Sequence, residues 1–217
     1  MNLRHPRVGA RRRLAGAGVL IGLLAAAPAA SAIELPRSLA GLSPQDFASR
    51  VTVIDDPLED SVVLSTKPAY RRDRSVSGAH VGDAHLQAVV ERKTGATSWR
   101  VSYDLYYAGP KKSLDVAQFR SGGELRRVTP RIAYHWQDEC YEAISTCSQY
   151  VRVVVDIPEA TVREIAGSYR AADRTPWLMR LKDRNGADVT LGLAPAEAAG
   201  LLAAVQKNNV ARPLAAD

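Results

Sequence analysis

The sequence predicts an α+β fold: a large, mostly antiparallel β-sheet with two or three short helices packed on one face or edge. Three observations lead there. Apolar residues alternate with period two in several segments between Leu86 and Leu193. Two other segments, 158–171 and 195–207, switch to the spacing of an amphipathic helix. The strand-like segments also follow one another closely, which favours antiparallel neighbours because parallel pairing needs a long crossover.

Each element has its own reason. Ser43-Pro44-Gln45-Asp46 reads as a helix start, with a hydroxyl cap, proline at the first helical position and an acid in the first turn. That helix is expected to end near Arg50, before a short apolar run at 51–54. The acidic, Pro57-containing stretch 55–60 reads as a loop and 61–67 as a strand. The stretch 68–84, with three arginines and two glycines, is the longest irregular segment expected. From Ala84 the alternation begins, and Lys93-Thr94-Gly95-Ala96 makes a turn. In 98–107, Trp99, Val101, Tyr103, Leu105 and Tyr107 share one face, opposite Arg100, Ser102, Asp104 and Tyr106. Gly109-Pro110 breaks the pattern, 112–119 resumes it, and Gly122-Gly123 turns again. Ile132, Tyr134 and Trp136 share a face in 131–136, as do Val151, Val153, Val155 and Ile157 in 150–157.

The first helical segment then brings Val162, Ile165, Ala166 and Tyr169 together. Trp177, Met179 and Leu181 form another strand face, and Asn185-Gly186 supplies a hairpin turn into Val189, Leu191 and Leu193. The last helix aligns Ala198, Leu201, Leu202 and Val205 and is expected to stop at Asn208-Asn209.

The first 32 residues carry Arg4, Arg7, Arg11, Arg12 and Arg13, an apolar run over 14–27, Pro28, and then Ala30-Ser31-Ala32. This is the three-part pattern of a secretory signal, with cleavage expected between Ala32 and Ile33. An apolar run of about 14 residues spans only about 21 Å as a helix, short of the roughly 30 Å of a membrane core. Residues 33–217 are then expected to form one domain, with a partly irregular lead-in over 33–60 and a flexible tail over 208–217. No later stretch reaches 18 consecutive apolar residues, so no transmembrane segment is expected in the exported chain. The arginine cluster matters for charge. The whole chain has a formal net charge of +6, but without those arginines 24 basic residues face 23 acidic ones. The overall charge therefore supplies no case for a nucleic-acid partner.

Cys140 and Cys147 are the only cysteines, and an even count in an exported chain predicts a disulfide. The spacing is wrong for a redox-active C-x-x-C, and two cysteines alone make an incomplete zinc site. The succession Cys140-x6-Cys147, a Val-rich strand, a Glu-bearing helix, a Trp-led strand, Asn-Gly and then Pro195-Ala196-Glu197-Ala198-Ala199-Gly200-Leu201-Leu202 resembles a group of small exported bacterial proteins. The resemblance covers roughly 84–207; it implies one exported domain and brings no activity with it.

The familiar catalytic motifs are absent: no G-x-S-x-G elbow, no H-E-x-x-H, no P-loop and no calcium loop. The best constellation for chemistry is His80-x-x-Asp83-x-His85, where two imidazoles and a carboxylate at a loop-to-strand junction are candidate metal ligands. His135 reads as solvent-facing, and Asp138, Glu139 and Glu142 as a solvated hairpin tip. The acids at 55–60 and the stretch 183–188 read as loop and hairpin rather than calcium sites. Arg71, Arg72 and Arg74 with Tyr70 offer a grip for a phosphate or an acidic polymer. Trp99, Tyr103, Tyr107, Tyr134, Trp136 and Trp177 are either core or the lining of a ligand cavity. The function expected is non-enzymatic binding of an envelope partner or small ligand, with no cofactor and no nucleic acid. The alternative is a small exported hydrolase assisted by a metal on His80, Asp83 and His85.

Overall fold

Ser43 starts its helix in the way its neighbours dictate. Its hydroxyl accepts the Asp46 N–H at 3.2 Å while the Asp46 carboxylate accepts the Ser43 N–H at 2.9 Å, a reciprocal capping box. The computed structural model describes residues 33–67, 80–141 and 146–211. Its helices are α1 (Arg37–Ala40), α2 (Pro44–Arg50), α3 (Glu159–Gly167) and α4 (Pro195–Ala211). Its strands are β1 (Thr52–Ile54), β2 (Ser61–Ser65), β3 (His80–Glu91), β4 (Thr97–Ala108), β5 (Leu114–Ser121), β6 (Glu124–Val128), β7 (Arg131–Tyr141), β8 (Thr146–Ile157), β9 (Trp177–Asp183) and β10 (Val189–Leu193).

The strands divide between two antiparallel sheets. One has six strands in the order β1-β2-β3-β4-β8-β7, the other four in the order β10-β9-β5-β6. β1 to β4 run as successive antiparallel neighbours. The chain then leaves for the second sheet at β5 and β6, returns through the β7–β8 hairpin, and leaves again at β9 and β10. Both sheets turn their apolar face into one core: Leu86, Leu105 and Val153 from the first meet Ala117, Met179 and Leu181 from the second, with Val162, Ile165 and Leu201 from the helices. Each such large aliphatic side chain contributes about 1.5–3 kcal/mol when fully removed from water. A smaller cluster of Leu35, Leu39, Phe47 and Ala196 fastens α1 and α2 to the start of α4.

Several expectations shift in detail. β3 is already strand at His80, so the irregular stretch ends four residues earlier than the alternation of side chains suggests. β6 and α1 were not expected, because the exposed run Glu124 to Arg127 shows no alternation and Arg37–Ala40 is only one turn long. α4 continues through Asn208-Asn209 to Ala211, and Tyr169 lies beyond the end of α3. The single face expected for Ile132, Tyr134 and Trp136 is broken, and the three are 45%, 49% and 49% exposed. β7 is the outermost strand of its sheet, and its register shifts between Ile132 and Tyr134.

Candidate binding surface

Strand register builds the most distinctive surface of the molecule. Tyr106 of β4 lies opposite Tyr150 of β8, and Tyr150 lies opposite Trp136 of β7. One pleat away on the same face, Asp104, Arg152 and Tyr134 form a second row across the same three strands. Neighbouring strands stand about 4.8 Å apart and alternate residues on a strand about 6.7 Å apart. The two rows therefore make a compact patch. Tyr106, Tyr134 and Trp136 are 42%, 49% and 49% exposed, an unusual concentration of half-exposed rings on one stretch of sheet. Tyr134 packs edge-on against Tyr150 with ring centroids 5.6 Å apart.

Charged groups fix this patch from its edge. The Arg152 guanidinium donates to both oxygens of Asp104, at 2.6 and 3.1 Å, and also to the Tyr150 hydroxyl at 3.3 Å. Lys67 closes on the same carboxylate from just beyond β2. Burial works against ionisation of Asp104, but hydrogen bonds from Arg152 and Lys67 outweigh it and hold the carboxyl below the usual carboxylate range. The Asp104 contacts in turn raise the Arg152 pKa. A locked ion pair thus sits beside the rings on the same face.

The disulfide lies at one end of this region. Cys140 and Cys147 are bonded and occupy paired positions on β7 and β8, one residue pair inside the last pair of the ladder, Tyr141 and Thr146. The two strands run further toward the loop than expected, so the bridge is part of the sheet. Two residues along β8 on the face of Cys147, Gln149 is buried; it meets His135 at 2.8 Å and donates to Gln137 Oε1 at 3.1 Å. His135 is therefore a half-buried structural partner rather than a solvent-facing group.

The other predicted residues are dispersed. Arg71, Arg72, Arg74, Tyr70, Glu142 and Ala32 lie outside the described residues, as do the side chains of His80, Asp83, Asp138 and Glu139. Ile33 is the first described residue and is 47% exposed. His85 is buried within β3, where its Nε2 lies 3.4 Å from the Gln87 amide. Among the described residues, no group of three His, Cys, Asp or Glu side chains is placed to hold a metal ion. No described helix is long and apolar enough to cross a membrane. The acidic loop at 55–60 is organised by Arg92, which donates to the Asp55 carboxylate at 2.6 Å and to the Glu59 carbonyl at 2.8 Å.

The predicted aromatic set divides three ways. Tyr103 and Tyr107 are core, and the Tyr107 hydroxyl accepts the Lys112 N–H at 2.8 Å. Trp177 tilts against Phe119 in the second sheet. Trp99 lines a cavity of about 510 Å³ between the start of β4, α3 and α4, together with Thr97, Glu159, Arg163 and Gln206. Only Tyr134 and Trp136 reach the exposed patch. Tyr106, Tyr150, Arg152 and Asp104 complete it and were not singled out from the sequence. One signal for Tyr106 was present: it is the sole ring among the polar residues on the outer side of the 98–107 pattern.

Compared with protein-family models, curated proteins and solved structures, the chain matches none of them.

Proposed function

We propose that this is an exported envelope protein that acts by binding rather than catalysis, and that its aromatic patch grips a polysaccharide of the cell envelope. The observation that carries the reading is the placement of Tyr106, Tyr134 and Trp136, each about half exposed, at adjoining positions on one sheet face. The face of an aromatic ring is electron-rich, so it attracts the slightly positive C–H face of a sugar ring. Arg152 and the tyrosine hydroxyls beside the rings offer hydrogen bonds to sugar hydroxyls. Carriage on paired strands of the sheet reduces the ordering needed on binding. Export fits the Cys140–Cys147 disulfide, a bond that persists in oxidising compartments.

The test is co-sedimentation of the purified protein with insoluble cell-wall glycan. Wild-type protein is expected in the pellet, and the Tyr134→Ala/Trp136→Ala double variant in the supernatant with its melting temperature little changed. Equal pelleting of a well-folded double variant would overturn the reading. So would a wild-type protein that ignores glycan and pellets only with a protein component of the wall.

A further inference from the structure

The outer face of the second sheet carries a different chemistry. Across its four strands, Arg127 of β6, Gln118 of β5, Arg180 of β9 and Thr190 of β10 stand in one register row. Strand alternation adds Arg120 and Lys182 to the same face, with Leu125 opposite Arg120 and Leu178 opposite Gly192. Arg120, Arg127 and Arg180 are exposed, as are Leu125 at 52% and Leu178 at 43%.

Of the carboxylates nearby, Asp188 meets Lys182 on this face and the others are engaged with other partners. Asp188, at the head of β10, pairs with Lys182 at 2.5 Å and also feels Arg180. Glu124 pairs with Arg126, which points to the opposite side of β6. Asp115 pairs with Arg184, and Glu164 accepts the Gly122 N–H at 2.7 Å. None of the register-paired positions on this face is acidic. A chain that is almost neutral beyond residue 32 has therefore gathered a net positive charge on one sheet, with Arg120, Arg127, Arg180 and Lys182 set against Asp188.

We propose that this face docks on an anionic phospholipid bilayer. Guanidinium groups match lipid phosphates through paired hydrogen bonds. Leu125 and Leu178, set among the arginines, supply apolar contacts at the acyl boundary that a soluble anionic polymer would leave in water. The surface lies on a different sheet from the aromatic patch, so it is independent of the glycan reading and would let one protein bridge wall and membrane.

The experiment is sedimentation of the purified protein with vesicles of mixed phosphatidylglycerol and phosphatidylcholine, against vesicles of phosphatidylcholine alone. Binding is expected only to the anionic vesicles, and it weakens as salt is raised. Each arginine near an anionic surface is worth about fivefold in affinity, so Arg127→Gln/Arg180→Gln should lose about 25-fold. Arg126→Gln, which removes one charge from the other side of β6, should bind as wild type. Leu125→Ser/Leu178→Ser should bind more weakly while keeping its salt dependence. Equal binding to both vesicles, full binding by the double arginine variant, or binding to soluble polyphosphate but not vesicles would each overturn the proposal. The Trp136→Ala variant should bind vesicles normally, which separates a failure here from a failure of the glycan reading.

Discussion

Glu197 accepts the Thr66 hydroxyl at 2.5 Å, joining two residues separated by 131 positions in the chain. Both are buried, and the same Glu197 oxygen lies 3.2 Å from the Leu86 N–H. The contact pins the first turn of α4 to the end of β2 and to β3, so a buried carboxylate fastens the helix to the sheet. Removing it takes away the charged acceptor of the Thr66 hydroxyl, which keeps only the Leu86 carbonyl at 3.1 Å, while the Leu86 N–H keeps Thr66 Oγ1 at 2.9 Å. Glu197→Ala is expected to lower unfolding free energy by about 1–3 kcal/mol in urea titration. Glu197→Gln, which keeps an acceptor oxygen, should lose less.

At Gly200, α4 packs tightly against α2. A Cβ there would stand 2.6 Å from the Phe47 Cβ, 2.7 Å from the Pro44 carbonyl oxygen and 2.9 Å from the Ala48 nitrogen. Alanine is the better helix former by about 1 kcal/mol, yet two of these three neighbours are backbone and cannot step aside. Overpacking of this kind costs about 1–3 kcal/mol. Gly200→Ala is therefore expected to lower the melting temperature, and a rise would show that α2 can shift away freely.

The disulfide closes a short loop. Chain-entropy reasoning assigns about 2.5 kcal/mol to closing a loop of roughly eight residues. Cys140→Ser/Cys147→Ser should lose about that much by chemical denaturation while keeping native circular dichroism, because ten other residue pairs hold β8 against β4. A variant that fails to fold would give the bridge a larger part than this.

Asp183 predicts a specific response to acid. Burial raises its carboxyl pKa, but hydrogen bonds from Lys112 and from the Asn185 and Ser113 N–H groups outweigh that and hold it below the ordinary range. A folded-state pKa below the unfolded value of about 3.9 means that the contribution is fully present above about pH 4. It is lost as pH falls through the folded value. Asp183→Asn should be less stable than wild type at neutral pH and should lose less further stability between neutral pH and acid. Parallel stability curves for the two proteins would contradict this.

Local chemistry was legible where it acts over a few residues. The Ser43-Pro44-x-Asp46 start, the alternation of 98–107, the Asn185-Gly186 turn and the pairing of two lone cysteines depend on neighbours in sequence, and the structure has each of them. Whether a strand face is core or surface depends instead on the strand's place in the sheet. Tyr134 and Trp136 alternate as well as Val153 and Val155 do, yet β7 is an edge strand and β8 is not.

The sequence by itself determined the class of fold, its antiparallel habit and the disulfide, because periodicity and spacing are properties of adjacent residues. Only the tertiary structure decided that the strands divide into two sheets, that Tyr106, Tyr150 and Trp136 share a row, and that Arg127 and Arg180 share a face. Those groupings depend on which strands pair and in what register. Register is fixed by burial of apolar faces from distant segments into one core, which no single stretch of sequence encodes.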